Sequence, residues 1–138
     1  MTSTEAGDDI EKMSARPDLS ILAYPVISGG EFTHQQSLHL QMGEPMTEDK
    51  RRQFSMELQI HKDTPKTFLW HTAEDQTVPV QNTYLYAMAL QKYGIPHEVH
   101  VYPEGPHGLG LAMLGEKRLP HVATWAQACA AWLAKEGF

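Results

Sequence analysis

Apolar residues occur along this chain in stretches whose spacing alternates between that of strands and that of helices. Residues 19–27 are almost continuously apolar and run into a Ser-Gly-Gly turn at 28–30, a pattern typical of a parallel strand that is covered on both faces. Because proline cannot donate a hydrogen bond to a sheet, Pro25 predicts that this strand ends near Tyr24.

The second half of the chain repeats the alternation. Strands are predicted over residues 67–71 and 98–102, with a helix over 80–93 between them. That helix is indicated by apolar residues at helical spacing, namely Leu85, Met88 and Ala89. A last helix is predicted from Pro120 to about residue 135. It carries one apolar stripe that has to be buried against a sheet: Val122, Trp125, Cys129, Trp132 and Leu133.

This order of elements predicts an α/β fold of about three parallel strands with flanking helices. Two of the strands are followed by loops that carry Asp75 and His107. Parallel strands joined by a right-handed crossover have their following loops on the same edge of the sheet. We therefore expect Asp75 and His107 to meet.

Residues 31–64 interrupt the alternation and are predicted to be a lid-like excursion between two strands. One helix is expected at 47–58, beginning at Thr47 with two acidic residues, Glu48 and Asp49, in its first turn. Such excursions form the lid or wall of the pocket in many α/β enzymes. The alternative is a surface helix without contact to substrate. Residues 1–17 form a polar N-terminal segment, and residues 18–138 are predicted to be the folded part.

The composition limits the classes of partner. The 138 residues are enough for one domain, and a net charge of −6 with scattered Lys and Arg argues against nucleic acid as a partner. No stretch is long and apolar enough to cross a membrane, so no membrane partner is expected. The single cysteine, Cys129, cannot form an internal disulfide, which favours a reducing compartment, and we expect a cytoplasmic location.

No metal site is predicted among the eight histidines. His97 and His100 are three residues apart on a predicted strand and therefore point to opposite faces. No pair of histidines at helical spacing has carboxylates nearby.

Asp75 and His107 have the chemistry of two members of a Ser-His-Asp catalytic triad. An imidazole can take a proton from a hydroxyl at neutral pH, and a fixed carboxylate stabilises the cation and holds the correct tautomer. Gly105 and Gly108 would let the loop turn sharply around His107. Taken alone, the two residues could equally cap nearby helices or face water.

Three segments carry a resemblance to a known family. They are residues 67–80 (TFLWHTAEDQTVPV), 93–99 (YGIPHEV) and 102–110 (YPEGPHGLG). Together they resemble the C-terminal half of an α/β-hydrolase, and more narrowly the acetyl esterase and acetylxylan-esterase-like branch. The resemblance covers about residues 14–135, and residues 16–27 would match the strand that follows the nucleophile helix.

The resemblance implies a partial α/β-hydrolase fold and hydrolysis of small-molecule carboxylic esters, such as acetyl esters of alcohols or sugars. It assigns Asp75 as the triad acid and His107 as the triad base. No cofactor is expected, because an acyl-serine route needs none. A second enzyme interpretation is a serine peptidase of the prolyl-oligopeptidase type, which has a similar pair of Asp and His loops.

The sequence shows no motif that would contain the nucleophilic serine of a catalytic triad. The family places its serine in a Gly-x-Ser-x-Gly elbow, and this chain contains no such motif. Ser28 has Gly30 two residues after it but Val26 two residues before it. The other serines considered lie in the polar N-terminal segment or in the excursion: Ser3, Ser14, Ser37 and Ser55. The chain is thus expected to be the rear half of an esterase, with its nucleophile absent.

A sheet of three apolar strands would also leave one hydrophobic edge open. The missing N-terminal half or a second copy of this chain could cover that edge. The interpretation from another class is a catalytically inactive truncated fragment that serves as an interaction module.

Overall fold

The computed structural model describes residues 12–113 and 118–138. In these residues strands alternate with helices, apart from two helices and a 3-10 turn between the first and second strands. The elements in chain order are β1 Leu19–Ala23, α1 Gln35–Met42, α2 Glu48–Phe54, a 3-10 turn Met56–Leu58, β2 Lys66–Thr72, α3 Gln81–Lys92, β3 His97–Tyr102 and α4 Pro120–Glu136.

The three strands form one parallel sheet in the order β1-β2-β3. In the register of this sheet, Ala23 of β1 lies beside Trp70, and Thr72 at the end of β2 lies beside Tyr102 of β3. All three strands therefore point their carboxyl ends at one edge of the sheet. The α/β fold with about three parallel strands is confirmed.

Helices cover both faces of the sheet. On one face, Phe68 and Trp70 of β2 pack with Val122, Cys129 and Trp132 of α4. On the other face, alternate residues of β2 and its neighbours pack against α3, in a cluster of Ile60, Leu69, Leu90 and Ile95. The predicted apolar stripe of the last helix is thus buried against the sheet, as expected from its spacing.

The predicted element ends agree with the structure to within one or two residues, except in the excursion. The first strand ends at Ala23, and the following residue, Tyr24, has a φ of 40° that is unfavourable for a residue with a side chain. Its amide still donates to the carbonyl of Trp70 at 2.8 Å. The last helix begins with Pro120 in its first turn and is closed by the left-handed Gly137.

The prediction for residues 31–64 was partly wrong. Instead of one helix over 47–58, the structure has α1, which was missed, and a shorter α2 followed by a 3-10 turn. Thr47 caps α2 by accepting from the amide of Lys50, as its position indicated. The helix ends because Ser55 is extended and its hydroxyl donates to the carbonyl of Arg51. The helix α1 was not predicted because it buries only Leu38 and therefore has no apolar stripe.

The burial of α3 also differs from the apolar pattern. Met88, one of the three apolar residues that indicated the helix, is 70% exposed, whereas Asn82 and Thr83 are fully buried. Asn82 accepts hydrogen bonds from the amides of Ile27 and Ser28, at 2.9 Å each. A polar face of α3 therefore holds the chain that leaves β1.

The polar N-terminal segment lies mostly outside the described residues, because description begins at Lys12, and Ser3 lies outside as well. Residues 12–17 are exposed. Within the described ranges, none of the helices is long and apolar enough to cross a membrane. The expected cytoplasmic location stays a prediction.

Candidate active site

Asp75 and His107 lie side by side at the carboxyl edge of the sheet. Asp75 follows β2 and His107 follows β3, and parallel pairing of these strands brings the two loops together. The imidazole Nδ1 of His107 lies 2.7 Å from Oδ2 of Asp75. The topology therefore does what the sequence led us to expect, while the catalytic roles of the two residues remain predictions.

The carboxylate of Asp75 is held by four hydrogen-bond donors. Oδ1 accepts from the amides of Thr77 at 3.0 Å and Val78 at 2.9 Å, and Oδ2 accepts from His107 and His71. Burial disfavours the charged form, but the bonds from the Val78 amide, His107 and the Thr77 amide outweigh it, so the pKa of Asp75 is lowered. The carboxylate is thus ionised and fixed in orientation.

The loop of His107 depends on a glycine. Gly105 has a φ of 125°, and a Cβ there would lie 2.8 Å from Leu109 Cδ1 and 3.2 Å from Thr72 Cγ2. The backbone of Gly105 is bonded on both sides, since its carbonyl accepts from the Thr72 hydroxyl and its amide donates to Glu74. The loop that carries His107 is therefore attached to the end of β2 and to the loop that carries Asp75.

The ring of His107 is held in a fixed place but is not enclosed. Its side chain is 30% exposed, and its ring lies 4.9 Å from that of Tyr24 at an interplanar angle of 72°. Because Nδ1 donates to the ionised Asp75, Nε2 is the ring nitrogen left to take up a proton. A polar cleft of about 730 Å³ adjoins the pair and is lined by both loops, from Ala73 to Thr77 and from Gly105 to His107.

A second histidine belongs to this site and was missed from the sequence. His71, in β2, is fully buried, and its Nε2 lies 3.2 Å from Oδ2 of Asp75 and 3.0 Å from the carbonyl of Val78. Its Nδ1 lies 2.7 Å from the hydroxyl of Thr83. The available signal was a histidine in the middle of a strand that is otherwise buried, because a buried polar group needs partners.

The sequence profile of the prolyl oligopeptidase family matches residues 21–132 of this chain, which include the last three residues of β1, all of β2 and β3, and both loops of the site. The chain belongs to the prolyl oligopeptidase family. The acetyl-esterase-like resemblance of the chain is confirmed by relatives within the α/β-hydrolases.

Among solved structures, this family member is similar to an acetyl ester-xyloside bifunctional hydrolase from Caldicellulosiruptor lactoaceticus, with 42% identity and a TM-score of 0.90 over 97% of this chain and 48% of that one. It is 45% identical over 100 residues to endo-1,4-beta-xylanase B of Butyrivibrio fibrisolvens, matching 72% of this chain and 16% of the relative. It is 33% identical over 100 residues to the acetylxylan esterase of Xylanibacter ruminicola, matching 69% of this chain and 21% of the relative.

The chain therefore spans about half of the matched hydrolase structure and a smaller share of the curated relatives. The described residues form a partial α/β-hydrolase domain with three parallel strands and flanking helices.

Four serines in the described part of the chain have hydrogen-bond partners away from His107. The hydroxyl of Ser28 accepts from the Gly30 amide, that of Ser37 pairs with His34, and that of Ser55 bonds to the backbone of α2. In the part of the chain that the structure describes, no serine hydroxyl is hydrogen-bonded to His107. Ser14, in the N-terminal segment, accepts from the amide of Arg16.

Metal ligands are not grouped at this site. Over residues 12–113 and 118–138, no set of three or more His, Cys, Asp or Glu side chains is arranged to hold a metal ion. The chemistry offered by the described residues is that of a carboxylate-oriented imidazole.

Proposed function

We propose that this chain is the acid-and-base half of a carboxylic-ester hydrolase that works by a Ser-His-Asp mechanism. The single observation that carries the proposal is the 2.7 Å bond from His107 Nδ1 to the buried carboxylate of Asp75. This bond sets the ring so that Nε2 is the free base at the edge of a polar cleft. The names of the relatives, an acetyl ester-xyloside hydrolase and an acetylxylan esterase, support small acyl esters of sugars as the substrate class.

In this mechanism Nε2 of His107 takes the proton of a serine hydroxyl as the serine oxygen attacks the ester carbonyl. The imidazolium is stabilised by Asp75 and then gives the proton to the leaving alcohol. Water repeats the sequence on the acyl-serine, releasing the acid and restoring the serine. The proposal places the serine outside these 138 residues.

The edge of β1 is the proposed docking place for the half that carries the serine. Within the described residues, β1 pairs only with β2, so its other edge is open to a further strand. Ile21 is 44% exposed there, and an apolar groove of about 540 Å³ beside the strand is lined by Leu22, Ile60 and Tyr86 among others. A parallel strand added at this edge would end next to Tyr24 and thus near His107.

The test mixes this chain with the N-terminal half of the Caldicellulosiruptor hydrolase, and p-nitrophenyl acetate turnover is measured. We expect turnover only when both halves are present, and a fluorophosphonate label on a serine of the added half. His107→Ala should abolish turnover, whereas His39→Ala, which removes an exposed histidine that contacts Glu44, should not.

Three results would contradict the proposal. Turnover by the chain alone, with label on one of its own serines, would place the nucleophile inside it. Self-association that alone restores turnover would make a second copy the partner. Mixed halves that bind each other without turnover would mean that the chain is an interaction module.

A peptidase function is the second candidate, because the matching family profile is that of prolyl oligopeptidases. The same mixed halves can be offered a proline-containing peptide anilide. Faster release from the peptide than from the acetyl ester would favour the peptidase.

A further inference from the structure

We propose that His71 is a positioning residue for the Asp75–His107 pair. In this role the imidazole, buried beneath the site, donates from Nε2 and fixes the rotamer of the Asp75 carboxylate so that Oδ2 faces His107. This inference rests on the proposed function for its meaning, but its test does not depend on turnover. His71 touches no substrate in this scheme, and it acts only through Asp75.

The hydrogen-bond partners of His71 define its tautomer. Nε2 faces two acceptors, Oδ2 of Asp75 at 3.2 Å and the carbonyl oxygen of Val78 at 3.0 Å. Neither partner has a proton to give, so Nε2 must carry the ring proton and donate it to both. Nδ1 then accepts from the hydroxyl of Thr83 at 2.7 Å.

The neutral state of His71 follows from its place in the fold. Its side chain has no exposed surface, and burial lowers the pKa of the imidazole against the opposing influence of Val78 and Asp75. A neutral ring can donate at Nε2 and accept at Nδ1 at the same time. The helix α3, which supplies Thr83, and the strand β2, which supplies His71, together set the direction of the donated proton.

This direction matters because the carboxylate is held from two sides. In the loop after β2, the amides of Thr77 and Val78 donate to Oδ1 of Asp75. His71 donates to Oδ2 and also to the carbonyl of Val78. His71 is thus hydrogen-bonded both to the Asp75 carboxylate and to the loop whose amides hold the other oxygen of that carboxylate. Without His71, the partly exposed ring of His107 would be the only donor to Oδ2 among the described residues.

The competing explanation is that His71 is a core histidine whose hydrogen bonds satisfy only itself. The two explanations differ in what a donor at the same place would restore. Gln can place its amide nitrogen near the position of the imidazole Nε2, whereas Leu fills similar space without a donor. A positioning role predicts rescue by Gln, and a packing role does not.

The test is histidine-ring NMR on the complete 138-residue chain, labelled with ¹⁵N. In the wild type we expect His71 as the neutral Nε2–H tautomer and a protected low-field Nδ1–H resonance for His107, assigned by its loss in His107→Ala. His71→Leu should lose the low-field resonance to solvent exchange, and His71→Gln should retain it.

Thr83→Val keeps the packing near the site but removes the hydroxyl that holds Nδ1. It should leave the Nε2–H tautomer in place, because Asp75 and Val78 still face Nε2, but it should free the ring to move and so weaken the His107 resonance. Thr67→Val is the matched control, since Thr67 is also fully buried and its hydroxyl bonds only to Pro65 outside the site. Should His71→Leu fail to fold, the Thr83→Val and Thr67→Val pair decides the question.

An unchanged His107 resonance in folded His71→Leu would overturn the proposal. So would equal loss in the Leu and Gln variants, or an Nδ1–H tautomer for His71 in the wild type. The proposed function fails differently. If the mixed halves show no turnover while the wild-type resonances are as expected, the positioning role stands and the esterase assignment falls.

Discussion

The hydroxyl of Thr72 donates a 2.7 Å hydrogen bond to the carbonyl oxygen of Gly105, and this bond joins the end of β2 to the loop of the base. Thr72 is buried, so the bond is shielded from water. Glu74 adds a second connection by accepting from the amide of Gly105 at 3.1 Å. The distance between Asp75 and His107 is therefore determined by the loop backbones as well as by their own bond.

The first prediction concerns Gly105. Gly105→Ala should lower the free energy of unfolding more than Gly108→Ala does, by about 1–3 kcal/mol, because its Cβ would press against Leu109, Leu119 and Thr72. Gly108 is the control, since it also has a positive φ, of 74°, in the left-handed region that costs a side chain less than the φ of 125° at Gly105, and a Cβ there meets nothing within 4 Å. Urea unfolding of the two variants measures the difference. Equal losses would mean that the crowding around Gly105 is relieved at no cost.

The second prediction concerns the charge of Asp75. Since its folded pKa lies below its unfolded value, ionisation of Asp75 stabilises the fold above about pH 4, and the contribution is lost as pH falls through the folded pKa. Asp75→Asn should therefore cost about 1–3 kcal/mol at pH 7, and the gap to the wild type should close at acid pH.

Unfolding free energies measured from pH 7 downward check this dependence, with Asp63→Asn as the control on an exposed carboxylate. A gap that stays constant with pH would show that the Asn variant loses packing rather than a charge.

Much of the site followed from the sequence because it depends on topology. Asp75 and His107 each follow a strand, and two parallel strands joined through α3 leave little freedom in where the loops meet. What could not be predicted depends on particular polar contacts between distant segments. His71 gains its role from Thr83 and from the turn of the acid loop, and neither contact has a spacing signal in the sequence.

The excursion illustrates the same limit. Its first helix buries only Leu38, so the hydrophobic pattern that reveals α4 is absent there. Asn82 is buried because it bonds to residues more than fifty positions away along the chain. Pattern reasoning assigns such a residue to the surface.

The third prediction follows from Asn82. Asn82→Ala would leave the amides of Ile27 and Ser28 buried without their acceptor, and the carbonyls of Phe32 and Pro79 would lose the donor that the Asn82 side chain provides. We expect a loss of about 2–4 kcal/mol in unfolding free energy. Gln91→Ala, at an exposed position of the same helix, serves as the control and should change stability little. A small loss for Asn82→Ala would mean that water replaces its bonds.

The fourth prediction concerns the attachment of the excursion to the end of β1. A Cβ at Gly29 would lie 2.2 Å from the carbonyl oxygen of Arg51, which is backbone and cannot move aside without moving α2. The same glycine donates its amide to the Ser55 hydroxyl and accepts from the Arg51 guanidinium, at 3.0 Å each. Gly29→Ala should therefore separate α2 from the chain that leaves β1.

Gly30→Ala is the matched control, because its Cβ would meet only the side-chain oxygen of Ser28, at 3.3 Å. We expect Gly29→Ala to lose at least about 1–3 kcal/mol relative to Gly30→Ala in urea unfolding. It should also make residues 31–58 more open to limited proteolysis, while the Asp75–His107 bond on the other loops is retained. If both variants resist protease equally, α2 is not held by Gly29. If instead the His107 resonance is lost with the excursion, the two regions of the chain form a single cooperative unit.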